Sequence, residues 1–164
     1  MDIRNAASPE DLAQIRMLFS EYFQLLNDHG LDIGYQGIQK ELGNLLVPYG
    51  PPLGCPVFAW EAGQIAGCGA IRPIDERICE LKRMYIRPAF RGLGLGKAIA
   101  VHLIEEAQKI RYQTIRLDTA TFLSVARGLY RSLGFREIGP YSDLPEEIRK
   151  ITVFMELEIN SRVE

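Results

Sequence analysis

The sequence predicts a mixed α/β fold in which one sheet is covered by helices. In the first half of the chain, extended runs are joined by short turns, which favours antiparallel strands, whereas the second half alternates strand, helix, strand, helix, strand. A glycine-rich turn joins a strand to a helix near the middle of the chain. With 164 residues, 47% of them hydrophobic and 24% charged, the chain suits a single domain over residues 1–164.

The first predicted elements are a short strand over residues 2–6 and a long helix. Ser8 and Pro9 supply a capping side chain and a residue suited to the first helical position. Apolar residues then recur at helical spacing. A second helix is predicted over residues 36–46, and the proline and glycine content of residues 47–54 predicts a loop.

The remaining elements complete a sheet and add two further helices. The predicted strands cover residues 57–61, 65–71, 78–87, 114–119, 135–138 and 151–157. One helix has a buried stripe consisting of Ile99, Leu103, Ala107 and Ile110. The next helix, which ends at Gly134, has an apolar face consisting of Phe122, Val125, Leu129 and Leu133. Strand alternation places the side chains of Lys82 and Arg83 on opposite faces of the sheet.

Composition excludes several classes of protein. The formal net charge of −2, the pI near 5.8 and the lack of a basic run give no reason to expect a nucleic-acid partner. The chain shows neither a basic leader nor an apolar run long enough to span a bilayer, so we expect a cytoplasmic protein without membrane contact. Cys55, Cys68 and Cys79 are odd in number and lack C-x-x-C spacing, so neither a disulfide framework nor a metal site is expected.

Residues 91–97, Arg-Gly-Leu-Gly-Leu-Gly-Lys, form a glycine-rich turn at the start of a predicted helix. Without Cβ atoms, several backbone N–H groups can converge on an anion, and the first helical turn adds roughly half a positive charge. Arg91 and Lys97 add a full positive charge on each side. A Walker A loop would need Ser or Thr at Ala98, and a Rossmann turn would need glycine at Lys97. The segment therefore predicts a phosphate site of another kind.

Three segments of the chain resemble the GNAT N-acetyltransferases, the superfamily that uses acetyl-coenzyme A (acetyl-CoA). The R-x-x-G-x-G run that begins at Arg91 is similar to the pyrophosphate motif of that family. Residues 80–88 resemble its fourth strand, and residues 126–135 resemble its A-x-x-x-Y-x-x-x-G-F segment. The three segments occur in the family order, and the order of the other elements also fits.

The resemblance implies a GNAT-like sheet, mixed and mostly antiparallel, with splayed central strands and helices on both faces. In that family the pantetheine arm of the cofactor lies between strands four and five and pairs with the edge of strand four. This implies backbone contacts from Met84, Tyr85 and Ile86, and phosphate contacts from Arg91, Gly92, Leu93, Gly94, Leu95, Gly96 and Lys97. Leu123 stands where the family often has an asparagine that contacts the cofactor, and Ser124 or Thr121 is the candidate replacement.

The resemblance also implies two catalytic residues. An amine with a pKa of about 10.4 is almost entirely protonated near neutral pH, so a base must take its proton. Glu80 occupies the position of a family glutamate base, and its alternative role is a surface ion pair with Lys82. Tyr130 matches the family tyrosine that protonates the leaving thiolate, and its alternative role is packing within a helix.

The leading hypothesis is an enzyme that moves the acetyl group of acetyl-CoA to a primary amine by direct attack, without a metal. We expect the amine to be a small molecule or an amino acid rather than a protein N-terminus or lysine. If charged, it is expected to be cationic, because the chain is slightly acidic. A non-catalytic module that senses acyl-CoA and an interaction domain that binds no ligand are the alternatives. A homodimer is an expectation from the family resemblance only.

Overall fold

The computed structural model describes residues 1–32, 34 and 37–160 of the chain. The strands are β1 (Asp2–Asn5), β2 (Cys55–Glu61), β3 (Gln64–Pro73), β4 (Ile78–Ile86), β5 (Thr114–Ala120), β6 (Arg136–Ile138) and β7 (Thr152–Glu158). The helices are α1 (Pro9–Asp28), α2 (Ile38–Gly43), α3 (Leu46–Tyr49), α4 (Leu95–Ile110), α5 (Ser124–Ser132) and α6 (Glu146–Arg149). A short 3₁₀ helix spans Pro88–Phe90.

The seven strands form one sheet in the order β1-β2-β3-β4-β5-β7-β6. Neighbouring strands are antiparallel except β4 and β5, which are parallel and are connected through α4. A parallel pair needs such a crossover, because its two strands run in the same direction. The predicted mixed, mostly antiparallel sheet is confirmed.

The two central strands separate along most of their length. β4 pairs with β5 only from Ile78 opposite Thr114 to Glu80 opposite Arg116. Beyond that point β4 continues to pair with β3, and β5 continues to pair with β7. Within the described register, residues 81–86 and 117–120 therefore face each other across a gap, and the splayed strands that the resemblance implied are present.

A β-bulge lies in β4 beside this gap. Cys68 pairs with Tyr85 but Ala70 pairs with Lys82, so β4 has one more residue than β3 in this stretch. Arg83, within the bulge, has a φ of 61°, in the left-handed region. Gly69 is required opposite the bulge, since a Cβ there would lie 2.6 Å from the Met84 sulfur.

The bulge corrects one expectation from the sequence. Simple alternation would send the side chains of Lys82 and Arg83 to opposite faces of the sheet. In the structure both lie on the α1 side: Lys82 pairs with Ala70 of that core, and the Arg83 guanidinium lies over Phe23 of α1, because the extra residue interrupts the alternation between them.

Helices cover both faces of the sheet. On one face α4 buries Ile99, Leu103 and Ala107 as the sequence predicted, with Ile110 partly buried at the end of the stripe. On the other face α1 packs against the sheet; it begins at the Ser8 cap. The sheet therefore separates two apolar cores, and a gap between its central strands can be reached from both.

Two elements in the first half differ from the prediction. Residues 47–54 were expected to form a loop, but α3 covers the first part of that segment, because proline is tolerated in the first turn of a helix. The second predicted helix, over residues 36–46, corresponds to α2, which spans Ile38–Gly43. Gln36 lies outside the described residues.

The buried face of α5 is also offset from the predicted one. Val125 was placed on that face, but its side chain is 88% exposed. Ala126 and Tyr130, one turn apart, face the core instead. The apolar spacing of Val125 and Leu129 thus predicted a face rotated away from the buried one. The face that packs against the core is centred on Tyr130.

No helix among the described residues is both long and apolar enough to cross a membrane. The three cysteines are free and buried, and burial raises the pKa of Cys55 and Cys79 to about 12. Within residues 1–32, 34 and 37–160, no group of histidine, cysteine and carboxylate side chains is arranged to hold a metal ion.

Candidate active site

The gap between β4 and β5 forms a cavity lined by both helical layers. Tyr22 of α1 borders it from one face of the sheet, and Tyr130 of α5 borders it from the other. The remaining lining residues are Leu81, Lys82, Arg83, Met84, Asp118, Thr119, Leu123 and Ala126. Two ligands could therefore meet inside the sheet, each from its own side.

The glycine-rich turn lies where β4 leaves the sheet and α4 begins. Gly92 and Gly94 have φ values of 80° and 81°, and no atom lies within 4 Å of a Cβ built at either position. Gly94 caps α4, and its carbonyl accepts the N–H of Ala98 at 3.1 Å. The N–H groups that precede Ala98 in the first turn have no helical partner, so they are available to an anion.

The side chains of this turn divide between solvent and core. Lys97 and Leu93 are exposed, whereas Leu95 is buried and anchors the turn through its side chain. The Nε atom of Arg91 donates to the carbonyl of Ile86 at 3.0 Å, which ties the turn to the end of β4. The turn is thus held in place while its backbone and two cations remain accessible.

Close packing at Gly96 sets the distance between α4 and α5. A Cβ at Gly96 would lie 3.4 Å from Leu129, at the limit of ordinary contact. The third glycine of the motif therefore admits α5, the helix that carries Tyr130, close to the glycine-rich turn.

The predicted backbone contacts of β4 lie along the gap. Met84 and Ile86 pack into the core on the α4 side, and Tyr85 is buried on the α1 side, with its ring 6.0 Å from that of Tyr22. Their side chains are thus committed to packing, and residues 84–86 have no described pairing with β5. The β4 backbone is left to offer N–H and C=O groups to a ligand in the gap.

Glu80 is buried, with only 4% of its surface exposed, and both of its carboxylate oxygens are engaged. Arg72 donates from Nε to Oε1 at 2.9 Å, and the Tyr141 hydroxyl donates to Oε2 at 2.6 Å. Lys82 lies 3.8 Å from Oε1. The expected ion pair with Lys82 is present as a long contact, but it is buried rather than on the surface.

These contacts determine the protonation of Glu80. Burial is the largest single effect and pushes the pKa of its carboxyl upwards, but the charges of Lys82 and Arg72 and the hydrogen bonds that Glu80 accepts together outweigh it. The Tyr141 hydrogen bond acts in the same direction, so the pKa lies below its usual value. A carboxylate with a lowered pKa and two occupied oxygens is a weak base.

Tyr130 is buried at the cavity wall, and its ring packs against Phe135 with 5.7 Å between centroids. Burial raises the pKa of its phenol, and the charges of Tyr22 and Asp118 raise it further. The phenol is therefore protonated throughout the neutral range, as a proton donor must be. Packing and proton donation are compatible here, because the ring packs while Tyr130 also lines the cavity.

Leu123 and Ser124 occupy the start of α5. Leu123 lines the cavity and caps α5 without a side-chain hydrogen bond. Ser124, the candidate replacement for the family asparagine, is exposed at the first helical position. Its contact with a cofactor stays a prediction.

A second buried network joins β4 to the helices on the α1 side of the sheet. Arg83 donates to both oxygens of Glu41 at 3.0 Å, and the Tyr49 hydroxyl donates to Glu41 at 2.8 Å. The Arg83 guanidinium also lies over the Phe23 ring, 4.9 Å from its centroid. The bulge in β4 is thus tied to α1, α2 and α3.

Sequence reasoning missed the partners that give these residues their roles. Arg72, Asp118 and Tyr141 come from a strand, another strand and a loop far apart in the sequence. Arg72 could have been found from the β3–β4 register, because it pairs directly with Glu80. Nothing in the local sequence signals Tyr141, since only the fold brings it to Glu80.

Comparison with known proteins agrees with this geometry. The acetyltransferase (GNAT) family model matches residues 13–135. An uncharacterized N-acetyltransferase of Schizosaccharomyces pombe is 38% identical over 154 residues, which cover 93% of this chain and 91% of that protein.

The structure of a GNAT-family acetyltransferase from Staphylococcus aureus Mu50 is similar with a TM-score of 0.77 at 20% identity, covering 97% of this chain and 99% of that one. The yncA protein of Salmonella typhimurium, solved with acetyl-CoA, is similar with a TM-score of 0.69 at 22% identity, covering 100% of this chain and 96% of that one.

The fold and these matches define an acyltransferase. The chain belongs to the acetyltransferase (GNAT) family. The family match and the similarity to the S. pombe N-acetyltransferase over 93% of the chain support N-acetyltransferase activity.

Proposed function

We propose that the chain transfers the acetyl group of acetyl-CoA to the primary amine of a small molecule or amino acid, by direct attack of the amine. The observation that carries this proposal is the position of the gap. β4 and β5 stop pairing after Glu80 and Arg116, so an open edge of β4 runs from the cavity towards the glycine-rich turn that follows this strand.

The residues of the turn fit the diphosphate of acetyl-CoA. Gly92 and Gly94 leave open space where any Cβ would project, and the first-turn N–H groups of α4 are available to an anion. We assign phosphate contacts to residues 91–97, backbone contacts to residues 84–86, and a further contact to Ser124. The bound co-substrate would supply an acetyl thioester, which an amine can attack.

The reaction must move protons in two places. The acceptor ammonium loses a proton before its nitrogen can attack the thioester carbonyl, since at pH 7.4 only about one lysine-like amine in a thousand is neutral. As the new C–N bond forms and the C–S bond breaks, the nitrogen sheds its second proton and the leaving sulfur gains one. We assign the protonation of the leaving sulfur to Tyr130, which lines the cavity and is protonated at neutral pH.

The two roles considered for Glu80 are unequally supported. As a base it would need a pKa near the working pH, yet the pKa is lowered, and both oxygens accept hydrogen bonds that stabilise the unprotonated form. As a positioning residue it would hold Tyr141 against the sheet beside Lys82. The contacts favour the positioning role, and the pH profile of a variant separates the two.

The acceptor is small in this proposal because the charged groups of the cavity are buried. Lys82 is 7% exposed, and Asp118 is half-buried between the helical layers. A folded protein surface would reach such groups poorly, whereas a small molecule can enter the gap. The similarity to an N-acetyltransferase over nearly the whole chain supports an amine as the acceptor group.

Two measurements on the purified chain test this function. Equilibrium dialysis should show binding of acetyl-CoA, and release of free thiol should appear only when an accepted amine is added. Binding without any amine-dependent thiol release across a broad panel would favour a sensing module. Absence of binding would overturn the assignment of the glycine-rich turn.

A further inference from the structure

The Lys82 side chain is only 7% exposed, and its ammonium makes no hydrogen bond among the described residues. Its nearest carboxylate atom is Oε1 of Glu80 at 3.8 Å, beyond hydrogen-bond reach, and that oxygen already accepts from Arg72. Among the described residues, no other acceptor is recorded within hydrogen-bond distance of Nζ. A buried ammonium is costly unless it is paired, so an anion that entered the cavity would be stabilised there.

Asp118 presents the opposite charge across the same cavity. It lies on β5, beyond the last residue that pairs with β4, and borders the cavity with Lys82. Within the described residues its carboxylate has neither a hydrogen bond nor an ion pair, so it does not neutralise Lys82 by direct contact. It remains free to receive a cation.

The other charges around the cavity are committed. Arg83 is held by both oxygens of Glu41, and Glu80 is held by Arg72 and Tyr141. The cavity therefore offers one cation with a 3.8 Å ion pair and no hydrogen bond, and one anion with neither, on the two strands that face each other across the gap.

Resting on the proposed acetyl transfer, we propose that the acceptor is a free amino acid, whose carboxylate is bound by Lys82 and whose ammonium is bound by Asp118. An amine without a carboxylate would leave Lys82 without a hydrogen-bonding partner, and a polyamine would bring a second cation towards it. Only a molecule that carries both groups satisfies both side chains. The amine would then lie near Tyr130, which lines the same cavity.

The test compares matched acceptors. The acceptors are α-amino acids and ω-amino acids, which have a longer distance between amine and carboxylate. For each one, kcat/KM is measured for the free acid, its carboxamide and the corresponding decarboxylated amine. A charge-assisted contact to Lys82 predicts that at least one free acid is preferred over its two partners by about 10- to 100-fold. The comparison uses the wild-type chain, so it does not depend on the folding of a variant.

Two substitutions then separate the two charges. Lys82→Met should remove the preference for the free acid while acetylation of the decarboxylated amine persists, and Lys82→Arg should retain part of the preference. Asp118→Asn should lower kcat/KM for all three members of a trio by about 10-fold or more and leave the preference intact. Lys109→Met, which removes an exposed lysine of α4, is the matched control and should behave as wild type.

Each outcome bears on a different claim. Equal kcat/KM for acids, amides and amines would overturn the amino acid proposal while the acetyltransferase function stands. Equal losses for all acceptors in Lys82→Met, with acetyl-CoA binding retained, would also overturn it and assign Lys82 to proton transfer. If acetyl-CoA binds but no amine is acetylated, the proposed function itself fails, and this inference fails with it.

Discussion

The two sides of the cavity are built in different ways. The cofactor side is a continuous segment, residues 84–97, that would hold its ligand with backbone groups and exposed cations. The acceptor side is assembled from side chains of α1, β4, β5 and a late loop, with Lys82 and Glu80 buried among them. A site made from local backbone can be recognised from a short motif, whereas a site made from distant side chains can be recognised only once the fold is known.

The two sides also handle charge differently. On the cofactor side, cations such as Lys97 are exposed and solvated, so their placement costs little. On the acceptor side, Glu80 and Arg83 are buried and are stabilised by paired hydrogen bonds. Substitutions on the first side should therefore alter ligand binding alone, while those on the second should alter both catalysis and stability.

The largest effect should come from Gly94→Val. Its φ of 81° is strained for any β-branched residue, and the side chain would fill the open space assigned to the diphosphate. We expect acetyl-CoA binding to fall below detection in equilibrium dialysis. Gly63→Val, at a φ of 73° in the β2–β3 turn, imposes similar strain away from the cavity and should bind normally. Binding at wild-type affinity by folded Gly94→Val would break the assignment of the cofactor side.

Tyr130→Phe tests the point where the two sides meet. The phenylalanine ring should pack as before, so only the proton donor is lost, and kcat should fall by roughly 10²- to 10⁴-fold with cofactor affinity nearly unchanged. Steady-state kinetics and dialysis measure the two quantities. Tyr112→Phe removes another buried hydroxyl, one that donates to the Leu53 carbonyl outside the cavity, and should leave kcat unaltered. A normal kcat in Tyr130→Phe would make solvent the proton donor.

Arg91→Ala tests whether Arg91 binds phosphate through its charge or only holds the glycine-rich turn in position. A charge-assisted hydrogen bond to phosphate contributes about 1.5 to 3 kcal/mol, so affinity for coenzyme A should fall by about 10- to 100-fold. Affinity for pantetheine, which lacks the phosphates, should change less. Arg136→Ala, at an exposed position of β6, is the control. Equal losses for both ligands would mean that Arg91 acts through its hydrogen bond to Ile86, by holding the turn in place.

Glu80→Gln tests the acceptor side with the smallest expected change in rate. If Glu80 positions its neighbours, the loss of kcat should be uniform across pH. If it were the base, the loss would be greatest near neutral pH and would disappear as pH approaches the pKa of the amine. Glu106→Gln, which alters a paired carboxylate on α4, should show neither pattern.

The same variant should change the acid stability of the chain. Because the pKa of Glu80 is lowered in the folded state, its contribution to the free energy of unfolding is present above the ordinary carboxyl pKa. That contribution is lost as pH falls through the lowered value. The melting temperature of wild type should therefore fall more steeply on acidification than that of Glu80→Gln. Parallel pH dependences of the two melting temperatures would contradict the buried pairing of Glu80.

Most of the fold follows from local patterns, and its exceptions have local causes. The α1 cap, the α4 stripe and the positions of most strands along the chain were predicted from the sequence, because each depends on neighbouring residues. The bulge was not, since it depends on how β3 and β4 align across Gly69. The inward face of α5 was misassigned because apolar spacing favoured Val125, whereas the helix buries the amphipathic Tyr130.

In the candidate site, too, some residues were predicted from the sequence and others were revealed only by the fold. The glycine-rich turn and Tyr130 were identified from the family resemblance; Tyr130 lines the cavity, and the turn connects the end of β4 to α4. The engagement of Glu80 by Arg72 and Tyr141 was not foreseen, and it changes the chemistry that Glu80 can perform. Residue identity gave the position of this carboxylate, but only its three-dimensional partners give its pKa.

The separation of β4 and β5 gives this sheet two edges at its centre in addition to the two outside. The outer strands, β1 and β6, carry charged residues such as Arg4 and Glu137, which discourage another chain from adding a strand. The inner edges carry apolar residues such as Leu81 and Leu117 and would be prone to aggregation if they were exposed. The helices on both faces shield them, so the unpaired backbone admits a thin ligand but no second polypeptide.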